Sequence, residues 1–208
     1  MEMETWLAFV LASLVLTMTP GPSILLGVVH SLNYGVRRTV ITALGDITAN
    51  FIQMLLVALG VGVVIASSEL AFQLIKWFGV LTLIYLGLKM MLSPPAAVDY
   101  ENPRPAVSSK KLFLSGFYAA AGNPKAIVFF SAFFPQFIDP SQPLFQQMAI
   151  MCPTMALLDF AWVMIYALSA RKVLGFMRRR PRAVNVFGGS ALLCASGVLA
   201  LSERSSRA

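Results

Sequence analysis

The sequence predicts an all-α integral membrane protein of six transmembrane helices, built as two inverted three-helix repeats with helices broken inside the membrane. Three observations lead there. Hydrophobic residues make up 58% of the 208 and charged residues 12%, about half the charge of an ordinary soluble domain. The apolar residues gather into six runs, each near the ~20 residues that cross a bilayer as a helix. Short matches between the first three runs and the last three then recur in chain order.

The first run, Thr5–Val29, carries no charge and is interrupted at Thr19-Pro20-Gly21-Pro22. Neither proline can donate a backbone bond, so the carbonyls of Leu16 and Met18 lose their helical donors. Within a membrane such groups need partners inside the protein. Glu2 and Glu4 stand where a signal peptide would carry basic residues, and the run is long; a retained first span is expected. The second run, Thr39–Ala66, places Thr42, Asp46, Asn50 and Gln53 on one face at helical spacing. The third, Leu70–Leu92, has Lys76 and Trp77 near one end, as snorkelling and interfacial residues. Ser93–Ser109, with Pro94-Pro95, Pro103 and Pro105, reads as an extended connection. The expected organisation is a first repeat over 1–92, a linker over 93–111 and a second repeat over 112–208.

The fourth run, Leu112–Phe137, meets its own breaker at Gly122-Asn123-Pro124. The fifth, Leu144–Ala170, carries Asp159, Trp162 and Tyr166 on one face, and the sixth is Ala183–Leu201. Ile41–Asp46 resembles Thr154–Asp159, Gly21–Leu25 resembles Asn123–Ile127, and Gly79 with Gly87 matches Gly189 with Gly197, at offsets of 113, 102 and 110 residues. A three-span repeat has an odd count, so its second copy enters the membrane inverted. In such folds the binding site lies between the repeats near the midplane.

The net charge of +7 could point to nucleic acid, but the basic residues sit between apolar runs, where membrane proteins keep them. Arg37 and Arg38, then Lys89, Arg104, Lys110 and Lys111, then Arg171, Lys172, Arg178, Arg179, Arg180 and Arg182 fill alternate connections; these are twelve of the sixteen basic residues. By the positive-inside rule those connections are cytoplasmic, and both termini lie on the other side. Cys152 and Cys194 belong to no Cys/His cluster, which disfavours zinc and disulfides. His30 has no second histidine to make a metal site. Ser23 lacks a nucleophile-elbow setting. No phosphate-binding glycine motif is present, so neither ATP nor any other cofactor is expected.

Asp46, Lys125 and Asp159 are the charges well inside apolar runs. Each costs at least ~2.5–3.5 kcal/mol to insert at the bilayer centre, so such groups face a cavity or a partner. The two aspartates are candidate proton carriers and candidate ligands for an ammonium group. Lys125 either neutralises one of them or binds an anion itself. Past each break the new half-helix, at Pro22-Ser23 and at Pro124, starts with unpaired N–H groups and suits a carboxylate. A site with both features fits an amino-acid zwitterion. The expected substrate-binding set is Pro20, Gly21, Pro22, Ser23, Asp46, Asn50, Gln53, Asn123, Pro124, Lys125, Asp159, Trp162 and Tyr166, with no catalytic and no metal-binding residue.

Thr19–Pro22, Gly45-Asp46 and Gly122–Lys125, in that order along six spans, resemble the LysE/RhtB family of amino-acid exporters over essentially the whole chain. Membership implies proton-driven efflux of amino acids or their derivatives across the bacterial cytoplasmic membrane, and the sequence is closer to the homoserine, threonine and leucine exporters than to the basic amino-acid ones. The family's aspartates fall on Asp46 and Asp159. The short basic tail after Leu201 departs from the family and touches no motif. The expected partners are an amino-acid substrate and the lipid bilayer, with a homo-oligomer also compatible. The competing readings are a metal-ion or other cation exporter, which calls for more clustered ligands than two acids and one histidine, and an intramembrane aspartyl enzyme using Asp46 and Asp159.

Overall fold

A computed structural model describes residues 1–67, 69–93, 107–139 and 141–201. Most of the expected linker and the basic tail after Leu201 lie outside those residues. The described chain is helical throughout, with no strand. Helix α1 (Met3–Met18) stops at the first proline, and α2 (Pro22–Tyr34) restarts with Pro22 in its first turn, where a missing N–H costs nothing. The two halves are bent by 54°. Gly35, at φ +83°, ends α2; only glycine takes that conformation cheaply. The long α3 (Val36–Ser67) and α4 (Glu69–Leu92) follow.

Helix α5 (Ser109–Ala121) is capped by Ser108, whose hydroxyl accepts from the Lys111 N–H. It ends at Gly122. Asn123 caps the restart, accepting the Lys125 N–H at 3.1 Å, and α6 (Pro124–Val128) begins on the second proline. The run does not continue as a plain α-helix. Phe129–Phe133 form a π-helical turn and Phe134–Phe137 a 3-10 turn. Helix α7 (Leu144–Leu168) contains Pro153. A short helix α8 (Ala170–Arg179) then occupies the basic connection after the fifth run, before α9 (Pro181–Leu201).

Among the described residues four helices, α3, α4, α7 and α9, are long and apolar enough to cross a membrane, and the bent α1–α2 pair makes a fifth candidate. The Leu112–Phe137 run is missing from that set because its backbone is broken at Gly122-Asn123 and changes helical register beyond Val128.

The most extensive packings join the first part of the chain to the last: α3 lies along α5, α4 along α9, and α1, α2 and α3 against α7. Glycines make the closest crossings. A side chain on Gly45 would run into the Phe113 carbonyl, and one on Gly116 into the Thr42 carbonyl. Gly87 and Gly189 face each other across α4 and α9 in the same way. The core is aromatic around the irregular segment, where Phe9, Phe130 and Phe134 are fully buried. Phe129 stacks on Phe133, and Phe9 meets Phe134 and Phe137 edge-on. Outside this core, leucines such as Leu56, Leu59, Leu81 and Leu157 are largely exposed, as expected of surfaces that meet lipid.

Candidate functional site

The two breaks meet. Lys125, one residue past Pro124, reaches back to the end of α1 and donates its ammonium to the carbonyls of Leu16 at 2.8 Å and Thr19 at 2.7 Å. The Tyr166 hydroxyl, from α7, donates to the Met18 carbonyl at 3.0 Å. Leu16 and Met18 are the carbonyls that Pro20 and Pro22 deprive of donors, so the first break is closed by side chains from α6 and α7. Gln53 serves the second break, donating to the Ala121 carbonyl at 3.2 Å.

With Lys125 held by those carbonyls, the aspartates keep other company. Asn50 donates to Asp159 at 2.7 Å. Asp46 is only 2% exposed, and neither of its oxygens has a well-formed hydrogen bond. Ser23 and Asp159 lie beside it, and Lys125 is within electrostatic reach of both carboxylates without bonding either. The Asn50 side-chain oxygen is likewise buried without a donor. Buried acceptors of this kind are costly unless something donates to them. The arrangement suits a ligand rich in N–H donors and positive charge.

A cavity of about 30 Å³ opens among Leu16, Thr17, Gly21, Ser23, Ile24, Asn50, Asn123, Lys125, Ala126, Phe130, Met155 and Asp159. Of the residues named from sequence, Gly21, Ser23, Asn50, Asn123, Lys125 and Asp159 line it, and Asp46 adjoins it through Ser23 and Asp159. Pro22 and Pro124 open the helices beside it. Pro20 and Tyr166 instead line a second, apolar cavity of about 630 Å³ bounded by α2, α7, α8 and α9. Gln53 turns to the Ala121 carbonyl, and Trp162 packs 6.2 Å from the Tyr166 ring; neither lines the polar cavity. Sequence reasoning missed Thr17, Met155 and Phe130. Met155 lies four residues before Asp159 and shares its face of α7, a spacing that could have found it. Phe130 is displaced by the π turn and left no such signal. Among the described residues no three of His, Cys, Asp and Glu gather in one place.

Several apolar helices packed around buried carboxylates, with two interrupted helices meeting at them, define a multi-pass membrane protein of the transporter class. The chain belongs to the family of LysE type translocators, whose description matches residues 14–203; it is a bacterial membrane transporter and not an enzyme. It is 32% identical over 202 residues to the homoserine/homoserine lactone efflux protein of Salmonella typhimurium, covering 96% of this chain and 98% of that one. It is 31% identical to an uncharacterized membrane protein of Vibrio cholerae, covering 93% and 96%. It is 25% identical over 182 residues to the leucine efflux protein of an Enterobacter species, covering 87% and 86%. No solved structure matches it significantly.

Proposed function

We propose that this protein is a secondary-active exporter of amino acids or their derivatives, driven by protons across the bacterial inner membrane. The observation that carries the reading is the buried, donor-poor cluster of Asp46, Asp159 and Asn50 beside the N-terminus of α2. The substrate ammonium binds the two carboxylates and the Asn50 oxygen. Its carboxylate binds the free N–H groups at Ser23 and Ile24, which the α2 dipole favours. Asp46, Asp159 and Lys125 together carry one excess negative charge when all are ionised, and one substrate ammonium or one proton balances it. A carboxylate that takes up a proton loses the charge that attracts an ammonium ion. Alternate occupancy by the two therefore exchanges an entering proton for a departing amino acid, as an antiporter requires.

The chain crosses the membrane six times in this reading, with α1–α2 and α5–α6 as the two broken spans of inverted repeats and both termini outside the cytoplasm. The crossing of Gly87 with Gly189, and the reach of Lys125 from the second break to the first, support the pairing of the repeats. The cavity of about 30 Å³ is smaller than an amino acid, so the helices around the breaks separate to admit one. Export of labelled amino acids from proteoliposomes under an imposed pH gradient tests the proposal. Wild type should export at least one, and Asp46→Asn and Asp159→Asn should export at least tenfold less. No export across a broad panel would reject the reading.

A further inference from the structure

The polar cavity and the larger apolar one share a wall. Ile24, on α2, lines both. On one side of it stand Ser23 and Asp159; on the other, Leu25, Phe176 and Phe187 border the space of about 630 Å³. Pro20 and Tyr166, which belong to the first break, line the apolar side as well, and Tyr166 bonds the Met18 carbonyl there. Among the described residues, Lys172 is the one charged residue in that lining. At Ile24 the apolar cavity is thus separated from the polar cluster by a shared side chain. Ile24 itself is 4% exposed.

We infer that the apolar cavity is a specificity subsite that receives the apolar side chain or acyl extension of the exported molecule, with Ile24 as the partition between its head and tail. The inference rests on the exporter reading above and deepens it: the preferred cargo is an amino acid or derivative with an apolar tail. A zwitterionic head satisfies the polar cluster, while the tail finds no room in the polar cavity and has to lie elsewhere. Two apolar spaces border that cavity through a lining residue, one of about 630 Å³ beyond Ile24 and one of about 350 Å³ beyond Leu16; the first is the larger and lies next to Ser23, where the substrate carboxylate is placed. Burying a tail there releases about 0.8 kcal/mol per methylene, so each added methylene should favour binding about fourfold until the space is filled. Ile24 must turn aside for the tail to pass. A smaller residue at that position would join the two cavities.

Ala183, on α9, lines the apolar cavity and is exposed, so a larger residue there fills the space without displacing the helix core. The test compares leucine with threonine export from proteoliposomes for wild type, Ala183→Trp and, as a second filling variant on α8, Val173→Trp. Leucine export should fall at least tenfold in each variant while threonine export stays within twofold of wild type. Wild type exporting threonine but not leucine, equal losses for both substrates, or no loss for either would overturn the subsite and leave the exporter reading standing. Wild type exporting neither, nor any amino acid, would overturn both.

Discussion

Removing the ammonium of Lys125 would leave the carbonyls of Leu16 and Thr19, two buried residues, without those donors. Each orphaned carbonyl costs about 1–3 kcal/mol, so Lys125→Met is expected to destabilise the fold by about 2–6 kcal/mol, read as a lower melting temperature in detergent. Lys125→Arg, which keeps the charge and several donors, should recover part of the loss. Equal stability of Lys125→Met and wild type would show that the bonds to α1 are not maintained in solution. Asn50→Leu removes the donor held at 2.7 Å from Asp159 and leaves that buried carboxyl group with one partner fewer; export should drop severalfold while melting changes less than for Lys125→Met. The polar residues of this cluster were legible in the sequence because charge and amide groups inside an apolar run demand an explanation. Their pairing was not. Lys125 could equally have met a carboxylate, and its choice of the α1 carbonyls follows from where α6 lies against the broken end of α1, which is a property of packing.

At the scale of elements, the breaks at Pro20–Pro22 and Gly122–Pro124 were visible because proline removes a donor wherever it falls. The π turn at Phe129–Phe133 was hidden, since a run of phenylalanine and alanine is equally apolar in α and π register. Helix α8 was hidden for a different reason. Its basic residues read as a loop, although Ala170, Val173, Leu174 and Met177 recur among them at helical spacing. The glycine crossings make a sharp prediction. Gly116→Ala drives a methyl group into the Thr42 carbonyl, with only backbone to yield, and should lower the melting temperature markedly or prevent accumulation in the membrane. Gly60→Ala, with nothing within 4 Å of the added carbon, is the matched substitution on α3 and should melt within a degree or two of wild type or slightly higher. Similar losses for the two would mean that α3 and α5 do not meet as closely as the structure places them.

For the whole molecule, composition and the spacing of apolar runs sufficed for an all-helical membrane protein, and the order of proline and Asn-Pro-Lys motifs sufficed for the family. The number of spans is harder to read from hydropathy, because the run at Leu112–Phe137 is divided among α5, α6, a π turn and a 3-10 turn and passes no simple length test. The proposed six spans place both ends of the chain outside the cytoplasm. A phosphatase fused after Leu201 should therefore be active in cells, and a fluorescent protein fused there, which matures in the cytoplasm, should stay dark. The reverse pattern would reject the inverted arrangement. Coupling has a sign as well. If protons entering from outside drive exchange, acidifying the outer side should accelerate export and a protonophore should abolish it.

The long packings of α3 on α5 and of α4 on α9 have one more consequence. Each of these helices finds its main neighbour beyond the connection that follows Ser93, and α3 and α4 touch each other little by comparison. A chain cut within that connection should still assemble when both pieces are made in one cell, as two strands of a zip close without a common end. Either piece alone would present its glycine-lined faces to lipid with nothing to grip, and should be cleared by membrane proteases.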